Sequence, residues 1–416
     1  MVKLTSQIGG GKCSLCGSEG TLKTTCPLNL KSTNPSVIKH PKANVNIIPN
    51  TPLAAPVVIP APAVAQPKRR APAAKLLASG TYGCVYRPRL MCKEAALESA
   101  ASTLERAGKK QISKLCNATD CASQLKEISS PELKTADPTN KFHIGNPILC
   151  TPTKTPSNCQ IPEGSKEILI YENGGLSLHQ YNRRPHTDIQ QSKRIKKTIL
   201  PGFVNLFDGL VVLNSNGYYH RDIKPANITV GESPDRKANF RFIDFGLGVS
   251  LPTPGDVFAW GSHDFKLYDY PYPYWGLDLY MLVPQNVDIT IDRIRNWVND
   301  VKKYSNIISF YMRGGLNGKE YTQSKLESVL LKLIKKLNND EEMAQELLDT
   351  SVRQTDIFSL GVSLLDSVYS EIVKDTPLGR KIFQFIQQSN ILSINPIERP
   401  DVQTFANEYR AFVQTI

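Results

Sequence analysis

The sequence predicts a chain of mixed α+β character, with a strand–turn–strand near residue 76 and helical stretches after residue 200. Three observations carry that prediction. The stretch "LLASGTYGCVYRPRLMCK" (76–93) reads as strand, glycine turn and strand. Phe203, Leu206, Phe207, Leu210, Val211 and Leu213 recur at helical spacing until "NSNG" stops the pattern at Gly217. Further on, "SKLESVLLKLIKKLNNDEEMAQELL" is amphipathic at the same period.

Before these elements come two segments of other composition. Residues 1–42 form a basic tail and residues 43–74 a Pro/Ala-rich linker suited to an extended polyproline spacer. Residues 1–75 hold eight Lys and two Arg against one acid, Glu19, so most of the net charge of +12 sits there. Such a tail is solubilising. It also suits contact with nucleic acid or another polyanion, and "PKRR" (67–70) has the character of a nuclear address. Cys13, Cys16, Cys26 and His40 offer three thiolates and an imidazole, the donors of a structural zinc knuckle. With no core of its own, this tail would be folded only by the metal.

Hydrophobic content of 40% and charged content of 21% describe a globular, soluble protein. The opening "MVKLTSQIGGGK" lacks the apolar run of a secretory signal, and "LAAPVVIPAPAVA" is short and cut by prolines. No membrane insertion and an intracellular setting are expected. The nine cysteines are odd in number and all fall within the first 159 residues. That distribution predicts a reducing compartment, one metal cluster and several free thiols.

The chemistry lies further along. "YYHRDIKPANITV" (218–230) follows the predicted helix, and "ANFRFIDFGLG" reads as a strand running into a second acidic turn. One loop presents Asp222, Lys224 and Asn227, and the other presents Asp244 followed by Phe245 and Gly246. Phosphoryl transfer from ATP needs this set. Asp222 can take the acceptor hydroxyl's proton, and Lys224 can sit against the moving phosphate. Asn227 and Asp244 supply hard oxygens for Mg²⁺.

In these two motifs the chain resembles the protein kinases. The resemblance implies a bilobal fold, with a small β-rich N-lobe (about 75–172) and a larger α-helical C-lobe (about 173–416). It also implies ATP with Mg²⁺, and protein substrates phosphorylated on Ser or Thr, since "DIKPAN" is the Ser/Thr form of the loop. Arg221 would receive an activation-loop phosphate. "EILIYENGGLSLHQY" (167–181) resembles the last N-lobe strand, the hinge and the next helix. Backbone groups near Tyr171–Asn173, Glu172 among them, would bind adenine, so their side chains tell little. "TDIFSLGVSLLDSV" (355–368) resembles the central C-lobe helix, where Asp356 braces the catalytic loop. "NPIERP" (395–400) resembles the late arginine turn, with Arg399.

The chain also departs from the family pattern. The first glycine of the phosphate loop is Ala78, leaving Gly80, Gly83 and Val85 to form the flap over ATP. The strand lysine is Lys114 rather than Lys93, because Lys93 runs into the helix former "EAALESAASTLERA", which makes 93–108 an insertion. Glu127 is then the ion-pair partner of Lys114, with Glu132 as the rival. An Ala-Pro-Glu tripeptide is missing, and Asp278 in "YPYPYWGLDLYML" is placed to replace its glutamate opposite Arg399. The aromatic run there suits core packing more than a substrate platform. Residues 283–354 read as a further insertion docked on the C-lobe.

With these departures and the Cys-rich start, the chain looks most like kinases of large nucleocytoplasmic DNA viruses. That likeness implies an enzyme of the host cytoplasm or the virion. The contrasting expectation is a catalytically silent kinase-like scaffold, whose basic zinc tail binds nucleic acid or a partner.

Overall fold

The computed structural model describes residues 73–80, 83–106, 110–161, 164–232, 238–251, 274–276, 278, 341–393 and 395–416. The basic tail with Cys13, Cys16, Cys26 and His40, nearly all of the linker, and the insertion up to residue 340 lie outside them.

The first described part is a five-stranded antiparallel sheet in the order β1-β2-β3-β5-β4. β1 (Lys75–Gly80) and β2 (Gly83–Arg87) pair as a hairpin. The insertion helix α1 (Ala95–Arg106) follows, and buried Arg89 holds it through a bidentate contact with Glu98 at 2.8 and 2.7 Å. β3 (Gln111–Asn117) leads directly into α2 (Ala118–Ile128), whose N-cap Asn117 accepts from the Asp120 N–H. After the short α3 (Pro131–Ala136) come β4 (Ile148–Cys150) and β5 (Lys166–Glu172).

The sheet corrects the cysteine expectation. Six of the nine cysteines are joined as Cys84–Cys159, Cys92–Cys150 and Cys116–Cys121. Pairing depends on which strand residues the register and loops bring together, and spacing along the chain does not encode that.

The second part is mainly helical. β6 (Leu176–Ser177), α4 (Leu178–Asn182) and α5 (Asp188–Arg194) lead through a π-helical turn, Ile195–Ile199, into α6 (Leu200–Ser215). The run 188–215 is long and apolar enough to cross a membrane by length and composition, but half of its apolar window is buried inside the protein. Leu200, Phe203, Leu206, Phe207 and Leu210 are fully buried in the main core. α6 ends where predicted: Gly217 takes a left-handed φ of 67°, which a side chain would disfavour.

The loop strands follow. β7 (Tyr218–Tyr219) pairs with β10 (Val249–Ser250), and β8 (Ile228–Glu232) lies between β6 and β9 (Ala238–Phe242). α7 (Glu341–Arg353), α8 (Thr355–Val373), α9 (Pro377–Gln388) and α10 (Val402–Gln414) complete the chain. α8 is buried on nearly every face. Its Ser359, Ser363 and Ser367 each donate to the carbonyl four residues back, at 2.8–2.9 Å, so none of these three hydroxyls is stranded. The architecture is thus α+β, an antiparallel sheet followed by a helical body, and is compatible with a bilobal fold.

Candidate active site

A cavity of about 410 Å³ is lined from both parts of the chain. Ala78 and Val85 of the hairpin, Lys114 of β3, Gln124 and Glu127 of α2, Tyr171 and Glu172 of β5, and Asp244 all face it. Register explains the strand contributions. Val85 is opposite Lys114 on β2 and β3, and Lys114 is opposite Leu169 on β5, so alternate residues share the cavity face. Lys93 lies instead at the approach to α1, its backbone N–H bonded to the Thr151 carbonyl at 2.7 Å. Gly80 closes the hairpin opposite Gly83. The need for glycine at 83 is packing: at φ 137°, a Cβ there would lie 2.2 Å from the Leu115 carbonyl oxygen.

The charges of these groups act on one another, but among the described residues no ion pair joins Lys114 to Glu127, the partner expected from the sequence, or to Asp244. Burial pushes the Lys114 ammonium below its usual range, and the carboxylates of Asp244, Glu127 and Asp120 oppose that shift. Glu127 is pushed up, chiefly by burial, and its Oε1 accepts from the Ser123 hydroxyl at 3.0 Å. Glu132 sits apart in the first turn of α3. Glu172 turns its side chain to Arg241 at 2.9 Å, and the Asn173 N–H is taken by the Lys110 carbonyl at 2.8 Å. Tyr171 adds a side chain to this stretch of the wall. Its ring lines the cavity, and burial pushes its phenol above the ordinary range.

The two acidic loops converge. Lys224 Nζ donates to both Asp222 oxygens at 3.0 and 2.8 Å. Asn227 Nδ2 donates to the Asp222 carbonyl at 3.0 Å and to its carboxylate at 2.8 Å. The Ile243 N–H bonds the Asn227 carbonyl at 2.9 Å, which brings Asp244 alongside. Asp222 is pushed up, mainly by burial; Lys224 opposes the shift and the Asp244 charge adds to it. Arg221 and Asp244 both hold positive φ, 64° and 66°, a strain that recurs at functional turns.

Buried groups outside the cavity hold these loops. Asp356 at the start of α8 accepts from the His220 and Arg221 N–H groups at 2.6 and 2.7 Å. Trp275 is buried and donates its indole N–H to the Arg221 carbonyl at 2.9 Å, so this part of the aromatic run is core. Asp278 and Arg399 form a fully buried pair, with Nη1 to Oδ2 at 3.1 Å, as their spacing anticipates.

One device escaped the sequence reading. Asp137 accepts from the Lys141, Phe142 and His143 N–H groups and from the His143 ring, all at 2.7–3.2 Å. The His143 ring packs edge-on to Phe245, 5.8 Å between centroids. Only "KFHIGN" marks it in the sequence, and a single histidine on an apolar stretch gives no signal of a partner.

Among the described residues, no cluster of three or more His, Cys, Asp or Glu could hold a metal. No protein-family model matches the chain. It is similar to a protein of Invertebrate iridescent virus 3 named as a serine/threonine-protein kinase, 24% identical over 116 residues, covering 25% of this chain and 33% of that protein. It is also similar to CBL-interacting protein kinase 17 of rice, 30% identical over 82 residues, covering 20% of this chain and 16% of that protein. The chain therefore matches a third or less of the length of each of these two relatives, both of which are named as protein kinases, the viral one as a serine/threonine kinase.

Proposed function

We propose that this chain is an ATP-dependent protein kinase that transfers the γ-phosphate of ATP to Ser or Thr hydroxyls of proteins. The observation that carries the reading is the convergence of Asp222, Lys224, Asn227 and Asp244 beside a cavity that also holds Lys114. Its size and mainly apolar wall suit a nucleotide. The iridescent-virus relative supports reading it among the kinases of large DNA viruses.

Each residue has a task on this reading. Asp222 accepts the hydroxyl proton, its carboxylate oriented by Lys224 and by the Asn227 amide. Lys224 also presents a cation to the phosphate in transit. Asn227 spends its side-chain nitrogen on Asp222, which leaves its side-chain Oδ1 to join the Asp244 carboxylate as a hard donor pair. That pair fits Mg²⁺, which takes few protein oxygens and keeps the rest of its shell for phosphate and water. When bound, the ion offsets charge on the phosphates. Lys114, whose ammonium the Asp244 and Glu127 carboxylates favour against the effect of burial, holds the α/β-phosphates. Ala78, Gly80, Gly83 and Val85 cover them.

Labelled ATP, Mg²⁺ and a mixed protein substrate test the proposal. Wild type should form phosphoserine or phosphothreonine. Asp222→Asn should retain nucleotide binding but fall by about 10³-fold in rate. Asp244→Ala should lose the response to Mg²⁺. Because burial raises Asp222, the rate should decline as pH falls, starting above the ordinary carboxylate range. Equal inactivity of all three proteins, without nucleotide binding, would sink the reading.

A further inference from the structure

The proposed reaction uses no sulfur, yet six cysteines are cross-linked, all in the sheet-rich part, and no cysteine follows Cys159. Two bonds, Cys84–Cys159 and Cys92–Cys150, fasten β2 and the approach to α1 to the segment around and beyond β4. The third has a different position. Cys116–Cys121 spans five residues, from the end of β3 to the first turns of α2. Those elements carry Lys114 and Glu127.

Strand alternation puts Cys116 on the same face of β3 as Lys114. On α2, Cys121, Leu125 and Ile128 follow helical spacing, and Gln124, Glu127 and Ile128 face the cavity. Both sulfurs pack in a small cluster with Leu125, Leu149, Leu169 and Tyr171, directly behind the cavity wall. α2 has eleven residues, too few for a stable isolated helix, and only Cys121 and Ile128 among them are buried. Its hold on the sheet therefore leans on this bond.

Building on the kinase reading, we propose that Cys116–Cys121 is a redox-controlled positioning link. Oxidised, it holds α2 against β3 and keeps Glu127 facing Lys114; reduced by a dithiol, it frees α2 and weakens nucleotide binding. One thiolate of the dithiol attacks either sulfur, forming a mixed disulfide and releasing one cysteine thiolate. The second thiolate of the reductant then displaces the other cysteine. The protein bond takes up two electrons and two protons to become two thiols, and the dithiol becomes its own disulfide. Both sulfurs are buried, so exchange passes through an opening of α2. Nucleotide favours the closed arrangement and should slow reduction in return.

The test uses the full chain, purified without reductant, with a fluorescent ATP analogue and Mg²⁺. Dithiothreitol is titrated while differential alkylation and mass spectrometry report which bond has opened. Loss of affinity, on the order of tenfold, should track alkylation of Cys116 and Cys121, and saturating ATP should delay it. Cys116→Ser/Cys121→Ser, and the apolar Cys116→Ala/Cys121→Ala, should bind about as weakly as reduced wild type while circular dichroism stays native.

Three results would overturn the link: free thiols at both positions in the oxidised protein, unchanged affinity once both are alkylated, or wild-type affinity in either double variant. If wild type binds no nucleotide in either state, the kinase reading fails and takes this proposal with it. Normal binding that ignores the bond removes the link alone.

Discussion

In the sheet-rich part, Lys114 is set by its register with β2 and β5 and by a cross-link two residues further on. In the helix-rich part, Asp222 is set by a loop whose backbone N–H groups end on the buried carboxylate of Asp356. The first arrangement joins covalent bonds to close backbone packing. The second joins buried charge to hydrogen bonds, without a single cysteine. The contrast teaches where each part is fragile. The sheet is exposed to redox chemistry and to added volume, and the helical body to the loss of one polar partner.

The largest effect should come from Asp356→Ala. It leaves the His220 and Arg221 N–H groups without their acceptor in the core, and the loop carrying Asp222 loses its brace. Two orphaned donors cost about 3–5 kcal/mol. On the proposed kinase reading, phosphotransfer should drop by at least about a hundredfold. Urea unfolding and initial rates read the two effects. A variant with full activity would mean that the helical body does not depend on this buried charge.

Next is the Asp278–Arg399 pair, which has no solvent contact on either side chain. Asp278→Leu strands a guanidinium and should cost about 3–5 kcal/mol. Asp278→Leu/Arg399→Met removes both charges and should recover most of that loss. If the double variant is no better than the single one, the pair contributes more than mutual neutralisation. Packing of Arg399 over Phe358, 4.7 Å from the ring, would then be the natural reason.

The same contrast explains what was legible in the sequence. Asp222, Lys224 and Asn227 fall within six consecutive residues, so a local loop writes its chemistry into local spacing. Asp278 and Arg399 could be anticipated because one buried cation demands one anion. Lys114 was harder, since the insertion carrying α1 separates it from the hairpin and Lys93 stands in the expected place. The disulfides were not legible, because Cys84–Cys159 and Cys92–Cys150 depend on how distant segments pack, and the spacing of Cys116 and Cys121 does not say that β3 turns into α2 between them. Reading the cysteines as free thiols followed from their odd count, which says nothing of six that meet. The place of Tyr171 on the wall was not legible either, because a hinge motif speaks for backbone roles and is silent on which ring lines the cavity.

In the sheet, Gly83→Ala probes backbone packing apart from redox chemistry. Its Cβ would meet the Leu115 carbonyl while φ stays in a region that alanine avoids. A cost of about 2 kcal/mol or more is expected in thermal unfolding. The three disulfides should still form, as non-reducing mass analysis can check. A harmless substitution would show that β2 can move away from β3, leaving the cross-links as the sheet's main constraint.

The smallest effect should have the opposite sign. Asp366 lies partly buried on α8, where burial pushes its carboxyl up to about 6 against the pull of Asn182 and Arg183. In the unfolded chain the same group titrates near its ordinary value of about 3.9. The folded form therefore takes up its proton first as pH falls, so this group's contribution to stability improves from about pH 7 down to about 4. Above pH 6 the buried carboxylate is a cost, at most about 3 kcal/mol. Asp366→Asn should accordingly stabilise the protein by about 1–3 kcal/mol at pH 7.5, with the gain fading by pH 4. Urea unfolding at the two pH values measures both ends. Destabilisation at pH 7.5 would mean that the Arg183 contact outweighs desolvation, and that the helical body gains from its buried charge even here.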